Sequence, residues 1–181
     1  MTDNYNYKII ENYTELYFVN EKQENFISYV DTEDLEKLFA FPYTFFPRPN
    51  HAGYYLHATE YLGIDEKPVN RMIRYHRWIL GIDKYDKTRR VDHENHNTLD
   101  NRKSNLRVTT TQKNLQHRKT RNKNNQSGYR NVCLISGWYR IQLQVNGANH
   151  LFPEKFRNAE EAGVFADAMR LEYYGEYSGN N

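Results

Sequence analysis

The sequence predicts an α+β protein in which small sheets and short helices follow one another along 181 residues. Short strand-like runs bounded by turn-forming residues recur through the chain, and helical signals are few. The predicted parts are an acidic α+β module (residues 1–70), a central strand–loop–strand–helix module (71–118), a basic linker (119–127), and a three-stranded antiparallel sheet with one helix (128–178).

The N-terminal module is predicted from two strand-like runs, residues 7–19 and 26–30, and a short helix over residues 33–39. Residues 42–51 are rich in proline and aromatic side chains and are expected to form a loop before a strand at residues 54–58. Because the module holds five basic and twelve acidic residues, it is poorly suited to contact DNA. We expect it to pack against the central module.

The net charge of +2 hides an uneven distribution, since residues 71–130 hold sixteen basic and five acidic residues. A basic block between acidic segments is typical of nucleic-acid binding, although a solvated basic face has the same composition. For the linker, residues 119–127, the alternative to DNA contact is a flexible tether between the flanking modules. The residues expected to contact DNA from the central module and the linker are Arg77, Arg89, Arg90, Arg102, Lys119, Arg121 and Lys123.

Cys133 is the one cysteine of the sequence, which excludes an internal disulfide framework and a cysteine-based zinc site. His93 and His96 could form half of a zinc site, but no second ligand pair has a suitable spacing, so no zinc is expected. Apolar runs of transmembrane length and a signal peptide are absent from the sequence. We therefore expect a soluble, cytoplasmic protein without membrane contact.

The central module places side chains with catalytic potential close together in sequence. Arg90 to Asp92 reads as the end of a strand, an Asn-rich loop follows, residues 106–108 form a second strand, and a helix from about residue 111 carries Asn114. Asp92 and Asn114 offer hard oxygen ligands for Mg²⁺ or Mn²⁺. An ion between them could stabilise the charge that develops on a scissile phosphodiester.

His93 points to the opposite side of the strand from Asp92, since strand side chains alternate. Its imidazole can take a proton from water near neutral pH, and Asn105 can bind the second ring nitrogen. These residues form a minimal set for metal-assisted phosphodiester hydrolysis. The alternative is a surface strand with a neutral histidine and a solvated carboxylate.

Five groups of residues match a known pattern in type and spacing: His76-Arg77, Asp92-His93, Leu99-Asp100-Asn101-Arg102, Asn105-Leu106-Arg107 and Asn114. With them the chain resembles the HNH endonucleases, of the subgroup found in phage and intron homing enzymes. The resemblance implies a ββα-metal finger in which Asp92 and Asn114 bind one divalent metal ion, His93 is the general base and Asn105 positions it. His96 departs from the relatives, which commonly have glycine or another small turn residue there.

The C-terminal module has the clearest local pattern. Alternation over residues 139–145 directs Ile141 and Leu143 inward, and Asn146-Gly147 predicts a two-residue hairpin. Asn158 is expected to cap a helix that runs to about Tyr174.

This module resembles the AP-two/ERF (ethylene-response-factor) type of DNA-binding domain, through Ser127-Gly128-Tyr129-Arg130, Trp138-Tyr139, Asn146-Gly147, Phe156 and Ala159-Glu160-Glu161-Ala162. Asn131 departs from the pattern, because glycine is usual at that position. A small interaction module is the alternative. The resemblance implies that the sheet enters the major groove with Arg130, Arg140, Gln142 and Gln144 facing the DNA.

The sequence therefore predicts a metal-dependent, site-preferring DNA endonuclease. The resemblance implies an enzyme of the homing type, encoded by a phage or mobile element and acting in the bacterial host cell. The expected cofactor is one divalent ion, Mg²⁺ with Mn²⁺ as the alternative, and the expected partner is double-stranded DNA bound by a monomer. The main alternative is a DNA-binding regulator with a non-cutting HNH scaffold. A second is an RNA-directed nuclease, because a basic surface does not distinguish the two sugars.

Overall fold

In the computed structural model, which describes residues 5–50, 53–62, 70–83 and 85–179, the chain divides into two units, Met1–Thr109 and Thr110–Asn181. Both combine antiparallel β-structure with helices, which confirms the predicted α+β class. The division falls between the second strand and the helix of the predicted central module, so it differs from the boundaries expected from the sequence. The division into functional modules stays a prediction.

The first unit begins with an antiparallel sheet of three neighbouring strands, β1 (Asn6–Ile10), β2 (Tyr13–Val19) and β3 (Asn25–Asp31). Alternation along β2 buries Thr14, Leu16 and Phe18 and leaves the residues between them partly exposed. Helix α1 (Leu35–Ala40) follows and buries Leu35 and Leu38. One face of this sheet therefore lies on the core.

A second antiparallel sheet has the order β4-β5-β6 and consists of β4 (Phe46–Asn50), β5 (Gly53–Tyr61) and β6 (Asn70–Arg74). The prediction of a loop over residues 42–51 is wrong for β4, which contains Pro47 and Pro49. Proline lacks the N–H that a central strand needs, but β4 lies at the edge of the sheet, where one side of the strand needs no partner. Helix α2 (Tyr75–Ile79) follows β6 directly.

Strands β7 (Arg90–His93) and β8 (Leu106–Thr109) pair as an antiparallel hairpin with a long connecting loop. The core of the unit draws on every part of it, from Leu16 on β2 through Leu56 on β5 and Tyr75 on α2 to Leu106 on β8. The predicted N-terminal module and the hairpin thus share one hydrophobic core, and the hairpin has a packed support.

The second unit contains α3 (Thr111–Gln116), β9 (Val132–Ile135), β10 (Trp138–Val145), β11 (Ala148–Leu151) and α4 (Ala159–Tyr174). Its sheet has the order β11-β10-β9, and Ile141 and Leu143 of β10 are buried with Ala162 and Ala166 of α4, as predicted. The side chain of Asn158 caps α4 by accepting from the backbone N–H of Glu160 at 2.8 Å. Among the described helices, none has the length and apolar character needed to cross a membrane.

Candidate active site

Asp92 lies on β7 directly opposite Arg107 on β8. Nε of Arg107 donates to Oδ2 of Asp92 at 2.8 Å, and a terminal guanidinium nitrogen lies 2.8 Å from the same oxygen. The two side chains are only 13% and 10% exposed, so water and salt screen this ion pair weakly. The register of the hairpin therefore fixes the orientation of the carboxylate.

His93 is the next residue on β7, and its side chain points to the opposite face of the strand. The side chain is buried, and burial lowers the pKa of His93 below the ordinary value for histidine. The ring is therefore neutral near neutral pH. Neutral imidazole is the form that can accept a proton from water.

Asn101 is the hydrogen-bond partner of the His93 ring, with Oδ1 at 3.5 Å from Nε2. Nδ2 of Asn101 donates to Oγ of Ser28 at 3.1 Å and to the carbonyl oxygen of Leu99 at 3.2 Å, which orients the amide. Because an amide oxygen only accepts, this contact requires the tautomer in which Nε2 of His93 carries the proton and Nδ1 carries the lone pair. The sequence did not indicate this role of Asn101.

Asn105 has a different position from the one expected. Its Oδ1 accepts from the backbone N–H of Asn95 at 2.9 Å, and its Nδ2 donates to the carbonyl oxygen of Asp100 at 2.8 Å. Both polar groups of the side chain therefore hold the β7–β8 loop, and the bond to the His93 ring comes from Asn101 instead. Positioning of His93 by Asn105 stays a prediction. Asn105 would position the ring indirectly, by holding the backbone of the β7–β8 loop.

Asp100 organises the same loop. Its carboxylate accepts from Nε of Arg102 at 2.8 Å, from a terminal nitrogen of Arg102 at 2.7 Å and from Nδ2 of Asn95 at 2.8 Å. Burial alone would raise the pKa of Asp100, but the hydrogen bonds from Arg102 and Asn95 outweigh it and lower the pKa below its ordinary value. The bidentate pair commits the Arg102 guanidinium to the loop.

The conformation of His96 explains why glycine or another small residue is usual at this position in the family pattern. Its backbone N–H donates to the carbonyl oxygen of His93 at 3.0 Å, and its φ of +63° lies in the left-handed region. Glycine enters this region without steric cost, which is why a small residue suits the position.

Strand β3 holds the β7–β8 loop from the other side. The backbone N–H of Tyr29 donates to the carbonyl oxygen of Leu99 at 2.9 Å, and that of Asn101 donates to the carbonyl oxygen of Tyr29 at 2.8 Å. The backbone N–H of Lys103 donates to the carboxylate of Asp31 at 2.7 Å, and its ammonium contacts Asp34 at 2.7 Å. The acidic N-terminal segment thus binds the loop that carries the Asn101 contact.

A cluster of rings surrounds His93 within the first unit. The His93 ring centroid lies 5.3 Å from that of His76 and 5.8 Å from that of Tyr55, and Tyr55 stacks on His57 at 6.3 Å. Burial lowers the pKa of His76 well below its ordinary value and, with the nearby charges of Arg74 and Arg48, lowers the pKa of His57 to about 4. Within the described residues, both ring nitrogens of His57 and Nδ1 of His76 have no hydrogen-bond partner. The His76 and His57 rings of this cluster are therefore neutral near neutral pH.

The protein should lose stability as the pH falls from about 6.5 to about 4. The unfolded chain protonates His57 near 6.5 and the folded chain near 4, so protons favour unfolding in this window. The shift in the pKa of His57 contributes roughly 3 kcal/mol to the free energy of unfolding. This contribution is present above pH 6.5 and is lost on acidification. Urea unfolding at pH 7.5 and pH 4.5 measures it. The His57→Leu variant should show a smaller difference between the two pH values, and an unchanged difference would contradict this account.

The arginines of the first unit that were predicted to contact DNA have intramolecular partners. The Arg77 guanidinium donates to the carbonyl oxygens of Arg89, Asp83 and Asp86 at 2.7, 3.0 and 2.7 Å. The Arg89 side chain pairs with Asp86, and Arg90 is half-buried at the start of β7. Arg77 therefore shapes the segment before β7, and contact of these residues with DNA stays a prediction.

In the second unit the predicted DNA-contacting residues fall into two groups. Arg130 donates to the carbonyl oxygens of Gln116 and Ser178, and burial lowers the pKa of its guanidinium to about 10. Arg140 donates to the carbonyl oxygen of Phe152 at 2.6 Å. By contrast, the exposed residues are Gln142, Gln144, Lys119, Arg121 and Lys123, and of these Arg121 also donates to the carbonyl oxygen of Gly128 at 2.8 Å. The exposed group is the one available to a partner.

The donor chemistry of the predicted metal site fits a hard divalent ion. Asp92 supplies a carboxylate, and Asn114 lies half-buried on α3 of the second unit. In the described part of the chain, no group of three or more His, Cys, Asp or Glu side chains could hold an ion. An ion held by Asp92 would take water and phosphate oxygens among its other ligands, which is how Mg²⁺ binds in phosphate-processing sites.

Comparison with known proteins bears on the family of the chain. The chain is 30% identical over 127 residues to an uncharacterized HNH endonuclease of Acanthamoeba polyphaga mimivirus. The match covers 67% of this chain and 65% of that protein, so it spans slightly less than two thirds of the relative. No family model and no solved structure matches the chain. The similarity supports a relationship to the HNH endonucleases.

Proposed function

We propose that this protein is a metal-dependent DNA endonuclease that hydrolyses a phosphodiester bond with His93 as the general base. The observation that carries the proposal is the contact between Asn101 and Nε2 of His93, because it assigns the lone pair to Nδ1. The burial that keeps the ring neutral and the neighbouring carboxylate of Asp92 support the same chemistry.

In the proposed reaction, Nδ1 of His93 accepts a proton from a water molecule whose oxygen attacks phosphorus. The bond from phosphorus to the 3′ oxygen breaks opposite the attacking oxygen, and solvent returns a proton to the departing oxygen. A bound divalent ion, Mg²⁺ with Mn²⁺ as the alternative, supplies charge stabilisation at the phosphate and the 3′ oxygen. Asp92 would hold the ion, and the assignment of Asn114 as a ligand stays a prediction from the sequence.

We further propose that the second unit reads double-stranded DNA, so that a monomer cuts with site preference. Gln142 and Gln144 project from the face of β10 opposite the buried Ile141 and Leu143. A glutamine amide can form two hydrogen bonds with adenine in the major groove. The resemblance to AP-two/ERF domains supports this role, and the resemblance to phage and intron homing enzymes supports the homing type. Arg130 is left out of the reading surface because its guanidinium is committed inside the unit.

Replacing both glutamines by alanine should reduce site preference more than intrinsic cutting. Each bidentate contact to a base contributes about 1–3 kcal/mol of discrimination, so the ratio of cutting at the preferred site to cutting elsewhere should fall about tenfold or more. Mapping of cleavage ends on a long duplex measures this ratio. Gln112→Ala, on exposed α3, serves as the control. Unaltered end positions in the Gln142→Ala/Gln144→Ala variant would show that β10 is not the reader.

A DNA-binding regulator with a non-cutting HNH scaffold is the second candidate. The ion pair between Arg107 and Oδ2 of Asp92 favours it, because the arginine takes the place that a metal ion would need at that oxygen. The two candidates differ in one respect that is easily measured, which is whether the wild-type protein breaks DNA.

The deciding experiment is cleavage of supercoiled plasmid by the full-length protein with Mg²⁺ and with a chelator. The proposal predicts nicked or linear product with Mg²⁺ and none with the chelator, because Asp92 alone cannot replace the charge of the ion. Plasmid that is bound but stays supercoiled under both conditions would favour the regulator. Competition between duplex DNA and duplex RNA in the same assay excludes or supports an RNA substrate.

A further inference from the structure

We infer that Asn101 and Ser28 are positioning residues for His93. Strand β3 of the N-terminal sheet, which carries Ser28, therefore helps to orient the imidazole. The inference deepens the proposed function, because it rests on His93 being the base. Neither residue carries catalytic chemistry of its own. Their side chains act on the orientation of the imidazole through hydrogen bonds.

The hydrogen bonds are donated in one direction, from the His93 ring through Asn101 to Ser28 on β3. Oγ of Ser28 donates to the carbonyl oxygen of Leu99 at 2.6 Å, so it presents its lone pairs to Asn101. Nδ2 of Asn101 then donates to Oγ of Ser28 at 3.1 Å and to the same carbonyl oxygen at 3.2 Å. With both amide protons used, only Oδ1 of Asn101 can face Nε2 of His93.

Burial makes this arrangement specific. Ser28 is 0% exposed, Asn101 is 1% exposed and His93 is 5% exposed, so water does not compete for these bonds. A rotated Asn101 amide would place Oδ1 against the carbonyl oxygen of Leu99, and two oxygens that only accept cannot hydrogen-bond each other. An unsatisfied buried polar group costs about 1–3 kcal/mol, which is enough to select one amide orientation.

Backbone hydrogen bonds fix the distance between Ser28 on β3 and Asn101 in the β7–β8 loop. Asn101 and Tyr29 are joined by the backbone hydrogen bond of 2.8 Å, and Tyr29 and Asp100 form a parallel bridge between β3 and the loop. Ser28 is the residue before Tyr29, so its hydroxyl is held beside the Asn101 amide. A segment far away in sequence therefore decides which ring nitrogen of His93 carries the proton.

The test compares Ser28→Ala and Asn101→Leu with the wild-type protein. Ser28→Ala removes only a hydroxyl, and Asn101→Leu keeps the bulk of the side chain without its amide. Long-range ¹H–¹⁵N NMR at pH 7.5, with the His93 signal assigned from His93→Ala, reports the tautomer. We expect Nε2–H in the wild type and a shift towards Nδ1–H in both variants. In single-site cleavage, kcat should fall about 10-fold to 100-fold while KM stays the same.

Thr14→Val is the matched control, because Thr14 is a buried hydroxyl of the same sheet that bonds Thr32 at 3.0 Å. It should change neither the tautomer nor kcat. A variant that keeps the wild-type tautomer and kcat overturns the positioning role of the residue that it replaces. The NMR result does not require cleavage, so a wild-type protein that does not cut would reject the proposed function while the spectrum still decides the role of Asn101 and Ser28.

Discussion

Replacing His93 by alanine should reduce DNA cleavage by about 10²–10⁴-fold while DNA binding is retained. The imidazole is the group on β7 that the structure holds neutral, buried and hydrogen-bonded at Nε2, so its removal takes away the proton acceptor for the attacking water. Single-turnover cleavage of plasmid and a gel-shift titration of duplex DNA measure the two properties separately.

His57→Leu is the control for this prediction, since His57 belongs to the same ring cluster and is equally buried. It should cut at the wild-type rate at pH 7.5 if loss of a buried histidine has no general effect on the unit. Circular dichroism of both variants establishes that they are folded. Full activity of His93→Ala would remove His93 as the base.

Asp92→Asn should lose metal-dependent cleavage by on the order of 10²–10³-fold, because the stabilisation that a bound ion gives to the transition state is several kcal/mol. The substitution keeps the shape of the side chain and removes its charge. It also leaves the guanidinium of Arg107, which is 13% exposed, without its ionic partner. Breaking such a pair costs about 3–5 kcal/mol of stability, so the loss of activity needs to be separated from a loss of folding.

The double variant Asp92→Asn/Arg107→Leu makes that separation. Removal of the second charge should restore much of the stability, since no charge is then buried alone. Cleavage should stay low, because the negative charge of the carboxylate, which would hold the ion, is still absent. Urea unfolding and a titration of cleavage rate against Mg²⁺ concentration measure the two effects. A Mg²⁺ dependence of Asp92→Asn equal to that of the wild type would refute Asp92 as a ligand.

The features that the sequence predicted well depend on neighbours within a few residues. The burial of Ile141 and Leu143 follows from alternation along β10, and the start of α4 follows from the Asn158 cap. The turn at Asn146 and Gly147 has φ values of +50° and +82°, as this residue pair favours. These signals are local, so no knowledge of the rest of the chain is needed to interpret them.

The features that the sequence did not indicate depend on contacts between distant segments. Ser28 and Asn101 are separated by 73 positions, and nothing in either segment indicates the other. Asn105 was assigned to the His93 ring from its chemistry and from the family resemblance, and in the structure both of its polar groups bind the loop. Arg130 has the residue type of a DNA contact, yet backbone carbonyls of its own unit bind its guanidinium. Residue type indicated the chemistry here, and tertiary structure decided the partner.

The central claim is that the imidazole of residue 93 takes the proton from the attacking water, and chemical rescue tests it most directly. His93→Gly leaves a cavity at a site where the wild-type ring is 5% exposed. Cleavage by this variant is measured with increasing imidazole and, in parallel, with a non-basic ring compound of similar size. The account predicts that imidazole restores cutting in proportion to its neutral form and that the non-basic compound does not. Wild-type rates in His93→Gly without any added base would contradict it.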